Sequence, residues 1–93
     1  MTDETLHATL EIVNKLGLHA RAAVLLVQAS GRYDAKVTVS KDGQEVDGRS
    51  IMGVMMLAAG KGASISIEAL GDDADAALAA LLKLFADKFD EGE

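Results

Sequence analysis

Residues 35–47 read AKVTVSKDGQEVD, from Ala35 to Asp47. Ala35, Val37 and Val39 alternate with Lys36, Thr38 and Ser40, the period-two pattern of a strand with one buried face. Asp42-Gly43 breaks the pattern. This dipeptide favours a tight type I′ turn, whose two central positions both need positive φ. Gln44 to Asp47 then return as a short partner strand. A hairpin here makes the sheet antiparallel, and a strand with a single apolar face needs another layer to cover it.

Working outward, Leu6, Ala8, Leu10 and Ile12 alternate with His7, Thr9 and Glu11. That is a second half-buried strand, with His7 on its outward side. Asn14-Lys15-Leu16-Gly17 ends it. Residues 20–29, ARAAVLLVQA, fit a buried strand or a helix by pattern alone; their length and alanines favour helix, with Gly31 as its C-terminal cap. Beyond the hairpin, Ser50 is placed to cap a short helix from Ile51 to Ala59, weakened by Gly53 and ended by Gly60. Ala63, Ile65, Ile67 and Ala69 give a fourth strand. Asp72 or Asp73 caps a last helix, whose stripe is Leu78, Leu81, Leu82, Phe85 and Phe89. Acids open that helix, and Lys83 and Lys88 lie near its end, both matching the macrodipole. The order is β-α-β-β-α-β-α. The expected fold is an α+β two-layer open-faced sandwich, a four-stranded antiparallel sheet with three helices on one face. Residues 1–93 are expected to form one domain.

Composition narrows the function. The chain has no cysteine and no proline, so a disulfide, a thiolate zinc site and a cysteine nucleophile are all absent. No metal or cofactor is expected. The net charge of −6 argues against nucleic acid as the main partner. Acids crowd the last quarter, whereas Lys15, Arg21, Arg32, Arg49 and Lys61 lie near Gly17–Ala23 or Ser50. A locally basic patch on an acidic protein suggests an anionic ligand or partner. The start, MTDETLHATLEI, lacks the basic and apolar stretches of a signal peptide. No apolar run nears the roughly 18 residues of a membrane span. The expectation is a cytoplasmic protein without membrane insertion.

The candidate nucleophile is His19, in Gly17-Leu18-His19-Ala20-Arg21-Ala22-Ala23. It falls at the start of the first helix. N–H groups without intrahelical partners and the positive end of the dipole there attract anions, phosphate especially. A ring nitrogen can accept a group covalently, and the same N–H groups would then face its oxygens. Arg21 adds a planar, fixed positive charge suited to phosphate. The small side chains of Ala20, Ala22 and Ala23 leave room for close approach by another molecule. No acid–base partner and no glycine-rich loop for ATP accompany His19. The arrangement suits receiving and passing on a group rather than running a reaction alone, so an enzyme is not expected.

GLHARAA resembles the active-site signature of HPr, the histidine-containing phosphocarrier family of the bacterial phosphotransferase system. Arg49-Ser50-Ile51-Met52-Gly53-Val54-Met55-Met56-Leu57 is similar to the family's regulatory-serine segment, as found in members modified by HPr kinase/phosphorylase. The similarity runs from about residue 6 to residue 90. It implies the sheet order 1-4-2-3. It implies that His19 takes a phosphoryl group on Nδ1 from phosphorylated enzyme I, that Arg21 assists, and that the A components of sugar-specific enzymes II are the acceptors. It implies that Ser50 is a regulatory phosphorylation site. Ala22 departs from the pattern, because the family usually has proline there; alanine should keep the helix with a looser start.

Both early helices carry more apolar surface than a sheet can cover. Val24, Ile51, Met52 and Met55 are the expected docking residues around His19, and flexible methionines suit a carrier that meets several partners. A monomer is expected, since the carrier must show one face to successive partners. Two other readings share these features. One is the nitrogen-related branch of the phosphotransferase system, with a regulatory role. The other is a small-molecule-binding regulatory domain in which His19 carries no phosphate.

Overall fold

The structure is a computed structural model and describes residues 5–13, 15–57 and 59–90. The hairpin lies where the alternation places it. Strand β2 (Lys36–Lys41) pairs antiparallel with β3 (Gln44–Asp47), and Lys41 stands opposite Gln44. Asp42 and Gly43 both have positive φ, 54° and 85°, as a type I′ turn requires. Strands β1 (Thr5–Glu11) and β4 (Ser64–Leu70) complete a sheet of order β1-β4-β2-β3. Both β1 and β2 run antiparallel to β4.

The register explains the core. Ala8, Ile67 and Val39 form one row across three strands, and Leu6, Ala69 and Val37 form the next. Val37, Val39, Ile65, Ile67 and Ala69 are buried, while Leu6, Ala8 and Leu10 on the edge strand are half-buried. The alternate row His7, Glu68 and Thr38 belongs to the other, polar face, and His7 is exposed as expected. Cross-strand pairs such as Thr9 and Ser66, whose hydroxyls lie 3.2 Å apart, link that face.

Helix α1 (Ala20–Gly31) contributes Ala22, Ala23, Leu26 and Ala29 to the core, and α3 (Ala74–Ala86) contributes Ala74, Ala77, Leu81 and Phe85. Both sets recur at spacings of three and four, one stripe per helix. Short helix α2 (Ile51–Met56) adds Val54. These side chains join those of β2 and β4 in one cluster that also holds Ile12, Leu18, Leu57, Ala59 and Phe89. No helix among the described residues is long and apolar enough to cross a membrane.

The helix ends differ from expectation. Gly31 does not cap α1. The helix runs through it, and the N–H of Arg32, in right-handed backbone, donates to the carbonyls of Ala29 and Ser30. Helix α2 stops at Met56, three residues before the expected Ala59. Ala59 lies in the connection, where its carbonyl accepts the N–H of Leu18 at 2.9 Å. Phe89 lies outside α3. The helix ends at Ala86, and Lys88 and Phe89 both have φ of 54° in a 3₁₀ turn. Phe89 is nonetheless fully buried, edge to face with Phe85 at a centroid separation of 4.7 Å. Burial of the ring therefore outweighs the roughly 1–2 kcal/mol of left-handed backbone. Asp73 occupies the N-cap position of α3 but its carboxylate caps nothing there. It reaches across to the approach to β2, accepting the N–H groups of Asp34 at 2.9 Å and Ala35 at 2.8 Å.

Candidate functional site

The position of His19 is set by the loop before it. Gly17 has φ of 65°, which an L side chain rarely adopts. A Cβ there would lie 2.5 Å from the Ala59 carbonyl oxygen and 2.7 Å from Gly60 Cα. Only glycine lets the chain press so closely on residues 59 and 60. Leu18 then buries its side chain while its N–H holds the Ala59 carbonyl. One residue later the backbone of His19 is extended, with φ of −76° and ψ of 178°, and the helix begins.

His19 is the N-cap of α1 and is half-buried. Its carbonyl accepts the first intrahelical bond, from Ala23 N–H at 2.8 Å. Its Nδ1 accepts the N–H of Ala22 at 3.5 Å. The N–H groups of Ala20 and Arg21, like that of Ala22, precede that first intrahelical bond and so lie outside the helical ladder. The ring therefore aims one nitrogen at the electropositive end of a helix of 12 residues. Arg21, in the first turn of the same helix, is exposed. A ring nitrogen, backbone donors and an exposed guanidinium at one helix start can hold an anionic group on the ring and leave it open to solvent.

Ser50 caps α2. Its backbone is extended, with φ of −106°, and its Oγ accepts the N–H of Gly53 at 3.0 Å. Its carbonyl accepts Val54 N–H, also at 3.0 Å. A Cβ on Gly53 would meet Val46 Cβ at 3.0 Å and Ser50 Oγ at 3.2 Å; the glycine that weakens the helix is what lets it sit against β3. Arg49, expected in the basic patch, has a structural role. Its N–H donates to Asp47 Oδ1 at 2.8 Å and its guanidinium to the Tyr33 carbonyl.

Of the expected docking residues, Val24 is 37% exposed, Ile51 42%, Met52 71% and Met55 43%. They lie on α1 and α2, which pack against one another. Two further apolar residues outside the expected set are exposed, Met56 on α2 and Leu16 in the loop before His19. Leu16 has no partner in any periodic pattern, which is the sequence signal that marks it. Lys41 was also not expected to matter. Its ammonium donates to the Leu57 carbonyl at 3.2 Å, closing the end of α2, and lies 3.7 Å from Asp42.

The chain matches the family model described as "PTS HPr component phosphorylation site" over residues 6–87. It is 52% identical over 82 residues to the phosphocarrier protein HPr of Cupriavidus necator, covering 88% of this chain and 92% of that one. It is 53% identical over 83 residues to the phosphocarrier protein HPr of Pseudomonas aeruginosa, with the same coverage of 88% and 92%. Among solved structures, the crystal structure of HPr-C-His from Thermoanaerobacter tengcongensis superposes with a TM-score of 0.89 at 42% identity, covering 92% of this chain and 97% of that one.

Proposed function

The chain belongs to the HPr family of phosphotransferase-system phosphocarriers, and on that premise we propose that His19 is its phosphoryl-carrying residue. The lone pair of His19 Nδ1 attacks the phosphorus carried by enzyme I. An N–P bond forms, and the bond to the donor atom breaks with its electron pair returning to enzyme I. In the second transfer the A component of a sugar-specific enzyme II takes the phosphoryl group and the pair returns to Nδ1. The observation that carries this reading is Nδ1 of His19 turned onto the Ala22 N–H at the start of α1. Helix-start donors receive phosphoryl oxygens there, and Arg21 steadies the group by its charge.

Val24, Ile51, Met52 and Met55 dock enzyme I and the acceptors, which replace one another on the same face of a monomeric carrier. Ser50 is a regulatory site for HPr kinase/phosphorylase. A phosphate on its Oγ adds negative charge and bulk beside those residues, so partners with anionic phosphate sites bind less well without any refolding. Ser50→Asp should therefore accept phosphate from enzyme I more slowly than wild type; an unchanged rate removes the electrostatic account.

Incubation with enzyme I and phosphoenolpyruvate tests the central assignment. The expected product is an acid-labile, alkali-stable phosphate that disappears in His19→Ala. Phosphate retained by His19→Ala, or none on the wild-type chain, overturns it.

A further inference from the structure

The donor that touches His19 Nδ1 is the backbone N–H of Ala22, at the one position of GLHARAA that departs from the signature it resembles. A proline there has no N–H to give. We propose that the Ala22 N–H is a positioning group of the phosphoryl site, holding the imidazole in the empty carrier and a phosphoryl oxygen in the loaded one. The proposal rests on His19 being the phosphoryl acceptor.

Three observations carry it. First, Ala22 precedes the first intrahelical bond, which runs from Ala23 N–H to the His19 carbonyl, so its N–H belongs to no helical ladder. Second, Ala22 is fully buried, and a buried N–H that lost its partner would be left without easy replacement by water. Third, the contact with Nδ1 is long, at 3.5 Å. A neutral acceptor at that distance holds the donor weakly. An anionic phosphoryl oxygen on the same nitrogen would hold it more strongly, because charge-assisted bonds are shorter and roughly twice as strong. The N–H therefore gains on loading and shifts the transfer equilibrium towards the phosphorylated carrier. In the empty state the same N–H favours one ring tautomer: with Nδ1 accepting, a neutral ring carries its hydrogen on Nε2.

Two full-length variants delete this donor by different means. Ala22→Pro removes it with a ring. A semisynthetic chain with lactic acid in place of Ala22 removes it as an ester and keeps the methyl group. Each is compared with wild type for its equilibrium constant of phosphoryl exchange with enzyme I, and for the tautomer ratio of the His19 ring from nitrogen-15 shifts. Both variants should lower the exchange constant by about tenfold, as expected for loss of one hydrogen bond to a charged acceptor. Both should also raise the Nδ1–H tautomer in the unphosphorylated protein; proline fixes φ in the first turn and the ester does not, so a shift shared by the two variants follows the donor and not the rigidity of the helix start. Wild-type values in the ester chain overturn the proposal, and a change confined to Ala22→Pro assigns the effect to the ring, which also overturns it. The tautomer measurement needs no phosphate. If wild type itself takes no phosphate from enzyme I, the functional reading and the loaded-state role fail together. If wild type is phosphorylated and the ester chain matches it, the Ala22 role alone fails.

Discussion

Gly17→Ala isolates the contact that delivers His19 to its helix. Two terms oppose the substitution. Alanine in left-handed backbone costs about 1–2 kcal/mol, and Gly17 has φ of 65°. The new Cβ would also lie 2.5 Å from the Ala59 oxygen and 2.7 Å from Gly60 Cα. Both are backbone atoms, and the oxygen is held by Leu18 N–H, so neither can swing aside as a side chain would. Forced overlap of this kind adds about 1–3 kcal/mol. The hairpin glycine is the internal control. Gly43 has φ of 85°, but nothing lies within 4 Å of a Cβ built there. Gly43→Ala therefore carries the dihedral term alone. Both variants gain about 0.4–1 kcal/mol from a less flexible unfolded chain, which cancels in the comparison. Urea unfolding of the two proteins should place Gly17→Ala lower than Gly43→Ala by about 1–3 kcal/mol, or roughly 1–3 M in midpoint at a slope near 1 kcal/mol/M. Equal midpoints within about 0.5 kcal/mol, at the experimental scatter of such fits, refute the close-approach argument. Phosphate uptake from enzyme I should fall in Gly17→Ala and hold in Gly43→Ala.

Asp73→Ala removes the acceptor of two backbone N–H groups, one of them on buried Ala35, and should lower stability by about 1.5–3 kcal/mol in denaturant unfolding; Asp73→Asn keeps one acceptor oxygen and should lose less. Ser50→Ala deletes the Oγ that accepts Gly53 N–H, and should lose about 1 kcal/mol by the same measurement. Met52→Glu changes a side chain that is 71% exposed, so its unfolding midpoint should stay within about 0.5 kcal/mol of wild type, while its affinity for enzyme I, read by calorimetry, should drop. Phe89→Ala empties a fully buried position against Phe85 and should destabilise by about 3–5 kcal/mol, although the residue lies beyond the last turn of α3.

The strands were legible because each buries one face, and period-two alternation with a turn dipeptide reports burial directly. Val37, Val39, Ile65 and Ile67 needed no tertiary information. The order of the strands did, since adjacency of β4 to both β1 and β2 is not written in any one segment, and it entered through the resemblance to HPr. The N-caps His19 and Ser50 were legible for a local reason, a polar side chain just before an apolar helical run. Helix C-termini were not. Gly31 has the residue type of a cap but no need to act as one, and α2 ends early because Ala59 is drawn to Leu18. Phe89 continues the spacing of the α3 stripe yet reaches the core from left-handed backbone; a residue count cannot tell a continuing helix from a turn that returns a ring to the same pocket. The Asp73 carboxylate illustrates the same limit, since the segment it serves is 38 and 39 residues away in sequence.

Strand order carries a consequence for biosynthesis. Among the described residues β4 is the one sheet neighbour of β1, so β1 leaves the ribosome long before its mate exists. The β2–β3 hairpin pairs locally, with Lys41 opposite Gln44 across its turn; loop-closure entropy delays the long-range pairings of β1 and β2 with β4. The clasp of Leu18 on Ala59 and the grip of Asp73 on Asp34 and Ala35 also span long separations. A nascent chain released before residue 70 would lack β4, the strand that joins β1 to β2, so the layer beneath α1 cannot close until that strand has been made.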